Sequence, residues 1–211
     1  MAGTEEREKR RWAEVYEETP YRELPWFSAR PFLWVERAVT DRWIERGRRV
    51  LDVGCGAGTN SLYLASSGYR VSGIDLAPAA IASGVRRAER RHLKVDFRTG
   101  DALAIPFPKG SFAGAIDIGC FHTLPPSERK RYAGELARVL RPGGRFALAW
   151  VAREHTASLG PPHRPSLDEV AGTFEADFQF LRTEFLPGQW GRIPAYGALL
   201  ERRATRQPAP R

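Results

Sequence analysis

The chain has 211 residues, 42% of them hydrophobic, which is enough to bury a sizeable core as one domain with modest appendages. Its formal net charge is +8, and no apolar run approaches the roughly 18 residues needed to cross a bilayer, so a membrane-spanning class is excluded. The charged start MAGTEEREKRRW is unlike a signal sequence, and two cysteines, Cys55 and Cys120, have neither the number nor the spacing of a disulfide framework or zinc site, so a cytoplasmic chain with reduced thiols is expected.

The first 40 residues read as a helix-prone, aromatic-rich extension. After them, Val50–Val53 is expected as a strand, Thr59–Ser67 as a helix, Arg70–Asp75 as a second strand and Pro78–Arg91 as a second helix. Pro78 suits a first helical turn, where a missing N–H costs nothing. Val95–Thr99, Phe112–Ile118 and Gly144–Val151 read as further strands, with a helix over Pro126–Leu140 that stops before RPGG. A helix over Ser166–Phe174, opened by a capping box of Ser166 and Glu169, precedes closing strands over Phe178–Leu186 and Ala195–Arg202. The tail ATRQPAPR is expected to be disordered. Strand and helix patterns in alternation mark an α/β fold around a mostly parallel sheet. Two basic clusters, Arg86, Arg87, Arg90, Arg91 and Arg129, Lys130, Arg131, read as solvated helix faces in preference to phosphate-binding patches.

Between the first strand and its helix, VLDVGCGAGT packs Gly54, Gly56 and Gly58 into five residues at the sheet edge where ligands bind. A nicotinamide fingerprint would need a glycine where Thr59 stands, and no phosphate-loop lysine follows. A ligand that joins an adenosine ribose to a zwitterionic amino-acid tail fits better. Asp52 and the carbonyls beside Gly54 are placed to accept from an ammonium group, and the missing Cβ atoms at Gly54, Gly56 and Gly58 let the chain approach closely. Asp75 is placed to accept from both ribose hydroxyls. Asp101 is placed to accept from an adenine amino group, with the Ala102 N–H facing a ring nitrogen. Three acids at three strand ends also favour a sulfonium cation.

The runs LDVGCGAGT, GIDLAP, GDALAIPF and LARVLRPGGRFAL, in that order over residues 49–151, resemble the motif series of class I S-adenosylmethionine-dependent methyltransferases. The resemblance implies a Rossmann-like, seven-stranded sheet of order 3-2-1-4-5-7-6 with only the seventh strand antiparallel. It also implies S-adenosyl-L-methionine as cofactor and S-adenosyl-L-homocysteine as product, with Cys55, Asn60, Leu76 and Asp117 beside the cofactor. The expected organisation is a single domain over 1–211, with 49–151 as the cofactor core.

Methyl transfer from a sulfonium is an in-line displacement, so much of the catalysis can be positioning in a dry site. A thiol acceptor, with a pKa of about 8.5, needs little more, whereas a hydroxyl needs a base. After the fourth strand, Asp117 stands either near the cofactor or a base, or caps the next loop. His122 is the candidate general base on its ordinary pKa. The stretches GCFHTLPPSERKRYAGELARVLRPGG, ETPYRELPW and GPPHRPSLDEV resemble the small-molecule branch that contains thiopurine, small-thiol and tellurite-resistance methyltransferases. That resemblance implies a small-molecule acceptor, a thiol or other chalcogen, and an amino-terminal lid over residues 1–40 in which Trp26 closes the site beside Tyr16, Tyr21 and Phe27.

Two alternatives belong to other classes. Asp117, Ile118, Gly119 and Cys120 resemble the Asp-x-Pro-Cys motif of RNA cytosine C5 methyltransferases, but Gly119 replaces the proline and FALAWVAREH lacks their second cysteine, which disfavours nucleic acid. A non-catalytic cofactor-binding subunit is the other, and the intact glycine loop argues against it. A metal or arsenic role for Cys55 and Cys120 has only weak support from two thiols so far apart in sequence.

Overall fold

The computed structural model describes residues 2–152, 163–188 and 193–204, so the tail from residue 205 onward, expected to be disordered, lies outside the described residues. In chain order the elements are α1 (Ala2–Glu18), α2 (Leu33–Thr40), β1 (Arg49–Val53), α3 (Thr59–Ser66), β2 (Arg70–Asp75), α4 (Pro78–Glu89), β3 (Val95–Thr99), β4 (Phe112–Ile118), α5 (Pro126–Val139), β5 (Leu140–Val151), α6 (Leu167–Phe174), β6 (Phe178–Gly188) and β7 (Ile193–Arg202). A short 3-10 turn spans Phe121–Thr123 between β4 and α5.

The seven strands form one sheet of order β3-β2-β1-β4-β5-β7-β6. β1 to β5 run parallel, and β7 runs antiparallel to both β5 and β6. Four consecutive residues of β1, Val50 to Val53, are buried, as a parallel strand covered on both faces requires. Side chains alternate between two cores. Leu51, Phe146, Leu148 and Trp150 pack with Tyr132 and Leu136 of α5 and Phe174 of α6. Val50, Val71, Ala147 and Ala149 pack on the other face with Trp34, Val35 and Val39 of α2 and Leu64 of α3. α2 is therefore part of the core, and the Trp34 indole N–H donates to the Ala198 carbonyl of β7 at 3.1 Å.

Two local details frame the site. The capping box is present, with Ser166 Oγ accepting from the Glu169 N–H at 3.2 Å and the Glu169 carboxylate accepting from the Ser166 N–H at 2.7 Å. β5 begins four residues before the expected start, because Leu140 pairs with Phe112 ahead of a register shift that brings Arg145 opposite Gly114. Strand order reverses between β1 and β4, so the crevice outside their carboxyl ends is the topological switch point where a ligand lodges in such sheets. Among the described residues no helix is long and apolar enough to cross a membrane.

A methyl group on Gly197 would lie 2.7 Å from the Trp34 ring and 3.0 Å from Leu186 Cδ1. Overpacking between β7 and α2 predicts that Gly197→Ala lowers stability by about 1–3 kcal/mol, read as a lower urea midpoint with an unchanged slope.

Candidate functional site

The loop that leaves β1 turns on left-handed glycines. Gly56, at φ +53, donates its N–H to Asp75 Oδ2 at 2.8 Å, and Asp75 Oδ1 accepts from the Ala77 N–H at 3.0 Å. Cys55 donates its N–H to the Ile74 carbonyl at 2.9 Å, so the loop is bound to the end of β2. The close approach that three glycines allow is filled largely by protein. A Cβ on Gly54 would lie 2.4 Å from Cys120 Cβ, and one on Gly58 would lie 2.5 Å from the Phe97 ring. At Gly56 the nearest atom is the Tyr16 hydroxyl, 2.8 Å from the same imagined carbon.

Asp52, Gly58 and Asp117 stand outside the cavity wall, each for a physical reason. In place of a ligand ammonium group, the buried Asp52 carboxylate meets Ser61 Oγ at 2.5 Å and so fastens α3 to β1. Burial pushes its pKa up to about 7; the Ser61 hydrogen bond opposes this and the Asp117 and Asp75 charges add to it. Gly58 is the amino-terminal cap of α3, with Phe97 packed over it. Asp117 caps the following turn: Oδ1 accepts from the Cys120 N–H at 2.8 Å, and Oδ2 accepts from the Phe121 N–H at 2.9 Å and from the Tyr132 hydroxyl. Burial raises Asp117 to about 7 as well, against those hydrogen bonds.

One cavity of about 680 Å³ gathers the other expected residues. Its floor includes Gly54, Cys55, Gly56, Asn60, Asp75, Leu76, Asp101 and Ala102, and Trp12, Tyr16, Tyr21, Trp26 and Phe27 overlie them. Asn60 Oδ1 accepts from the Phe32 N–H at 3.0 Å, which ties α3 to the amino-terminal segment. Asp101 Oδ1 accepts from the Leu103 N–H at 2.8 Å. The Trp26 indole N–H donates to the Tyr16 hydroxyl at 3.1 Å, and burial pushes that phenol far above its ordinary pKa, so Tyr16 stays protonated.

The far wall carries Cys120, His122, Leu124 and Pro125. His122 Nδ1 accepts from the Val151 N–H at 3.1 Å, which assigns the ring proton to Nε2. Burial, with Arg129 and Arg164 adding, lowers its pKa to about 3, so the neutral ring is a poor base at pH 7 and the expected general-base role is not supported. Burial and neighbouring acids push the Cys55 and Cys120 thiols well above their ordinary range, which leaves little thiolate for a nucleophile of the cytosine C5 kind.

The basic clusters are not uniformly solvated: Arg87 and Arg129 are buried. Arg87 Nη1 donates to the Ala57 carbonyl at 2.5 Å and to Thr59 Oγ1 at 3.0 Å. Helical spacing carried the missed signal. Arg87 shares a face with Ala80, Ser83 and Gly84, and Arg129 with Tyr132, Ala133 and Leu136.

The profile of the methyltransferase domain family matches residues 50–144. A demethylmenaquinone methyltransferase of Thermus thermophilus is 34% identical over 172 residues, covering 79% of this chain and 76% of that protein. A solved structure reported for the conversion of a disulfide bond into a thioacetal group during echinomycin biosynthesis superposes with a TM-score of 0.81 at 24% identity, covering 92% of this chain and 93% of that one. A Burkholderia thailandensis 1,6-didemethyltoxoflavin N1-methyltransferase with 1,6-didemethyltoxoflavin and S-adenosylhomocysteine bound superposes with a TM-score of 0.71 at 19% identity, covering 92% and 87%. At these identities the two structures show a common fold.

Asp75→Ala releases both the Gly56 and Ala77 N–H groups, and calorimetric affinity for S-adenosylhomocysteine is expected to fall at least about tenfold. Asp52 titrates at about 7 in the fold against an ordinary 3.8, so its stabilising contribution is complete below about pH 4 and is lost as pH rises through 7. Asp52→Asn cannot ionise and is expected to gain on the parent chain between pH 4 and 8; parallel urea stability profiles would refute this.

Proposed function

The chain belongs to the class I S-adenosylmethionine-dependent methyltransferases, and from that membership we propose that its acceptor is a small nucleophile enclosed between the α1 segment and the end of β4. The observation that carries this reading is that one cavity is walled by both the glycine loop and the amino-terminal aromatics. The residues present fit the cofactor. Gly56 is held by Asp75, whose two oxygens each accept one N–H here and retain acceptor positions for hydroxyl groups. When bound, the cofactor supplies an electrophilic methyl group on a sulfonium centre. Asp75 and Leu76 hold the ribose, Asp101 and Ala102 the adenine, and the backbone from Gly54 to Gly56 with Asn60 the amino-acid end. Trp26 and Tyr16 close over them and exclude water.

Burial leaves His122 a poor base near neutral pH, which favours an acceptor that ionises readily by itself. A thiol or other chalcogen is the first candidate. The second is a demethylmenaquinone, the compound in the name of the Thermus relative, favoured by the 34% identity over most of both chains. The amino-terminal segment up to residue 32 closes over the core 49–151, whereas α2 packs into the core itself.

Incubation with methyl-labelled S-adenosylmethionine, a thiol-weighted small-molecule panel and total RNA, followed by separation on size, tests the reading. Label is expected in the small fraction; label in RNA would overturn it. For the acceptor so found, His122→Gln is expected to keep turnover within about threefold, and a loss beyond a hundredfold would restore base catalysis.

A further inference from the structure

Arg87 lies behind the cavity wall and touches lining residues from both the glycine-loop side and the amino-terminal side. Its guanidinium reaches the Ala57 carbonyl and Thr59 Oγ1 on the glycine-loop side. On the other side its guanidinium carbon lies 5.3 Å from the Tyr21 ring and 5.6 Å from the Phe27 ring, two rings that meet edge to face at 5.2 Å. A planar, weakly hydrated cation can bond in its plane and stack on its faces at once, which an ammonium group cannot. Two further bonds join the same pair of segments: Thr59 Oγ1 donates to the Ser28 carbonyl, and the Phe32 N–H donates to Asn60 Oδ1, both at 3.0 Å. Residues 21–32 are thus fastened to residues 57–60, around the last glycine of the loop.

Burying a cation is costly unless its surroundings compensate, and Arg22, Arg90 and Arg91 act against Arg87 electrostatically. The carbonyl, the hydroxyl and the two ring faces supply the compensation, so the guanidinium holds its place only while both segments hold theirs. We propose that Arg87 is a positioning residue that couples the amino-terminal aromatics to the glycine loop, so that seating the cofactor orders residues 21–32 over it through Ala57, Arg87, Tyr21 and Phe27. The inference rests on the methyltransferase reading above.

Hydrogen exchange on the full chain, with and without S-adenosylhomocysteine, tests it in the parent, Arg87→Met and Arg87→Lys. In the parent, the ligand is expected to slow exchange both at residues 55–60 and at residues 21–32. In Arg87→Met, whose apolar stem preserves the packing of α4, protection is expected to stop at 55–60, and the Kd for S-adenosylhomocysteine is expected to rise about five- to tenfold. Arg87→Lys, which keeps a donor but loses the planar stack, should fall between the two and carries the test if Arg87→Met does not fold. Ligand protection of residues 21–32 that is equal in parent and variants, or absent in the parent despite binding, would overturn the coupling. A parent chain that binds no S-adenosylhomocysteine would instead overturn the methyltransferase reading, and that failure is read before any variant is compared.

Discussion

One carboxylate, that of Asp75, holds together the two turns from which the site is built. It accepts the Gly56 N–H from the turn after β1 and the Ala77 N–H that opens α4, so the β1 loop cannot shift without disturbing the start of the next helix. Burial alone raises its pKa, and the backbone hydrogen bonds of Ala77, Gly56 and Leu76 oppose that shift. The far end of α4 then returns to the same loop, where Arg87 reaches the Ala57 carbonyl. α4 is thereby a strut attached to the glycine turn at Gly56 through its first end and at Ala57 and Thr59 through its last turn.

Related devices stand at the neighbouring strands. Asp52 holds Ser61 of α3, and Asp117 holds the turn that carries Cys120 and Phe121. These acids shape loops before they can act on any ligand, and their mutual repulsion adds to the burial that raises Asp52. Asp75 and Asp101 reach the cavity wall; Asp52 and Asp117 support it from behind. Gly54 joins the β1 and β4 sides, because Cys120 packs where a side chain would otherwise stand.

Features written in local chemistry were legible in the sequence. The Ser166 and Glu169 box, Pro78 in the first turn of α4 and the alternation of strand and helix all depend on residues a few positions apart. The strand order followed from the resemblance of four motifs to a known family and matches the sheet observed. What could not be read locally was direction. Whether Asp52 faces a ligand or Ser61, and whether Arg87 faces water or Ala57, is settled by packing between segments far apart in sequence. The start of β5 was obscured for a similar reason, since the proline and glycines of RPGG resemble a stop while the pairing of Leu140 with Phe112 overrides them. His122 shows the limit of reasoning from an ordinary pKa, because burial and two arginines move it out of the range that suggested a base.

The bond from the Trp34 indole to the Ala198 carbonyl spans 164 positions of chain. During synthesis the segment containing α2 leaves the ribosome well before its docking surface on β7, which follows it by 164 positions. The α/β core can begin to assemble while that tryptophan still lacks its acceptor. Docking of α2 then becomes a later event in folding, so a nascent or truncated chain lacking β7 would expose the Trp34 face to chaperones and proteases.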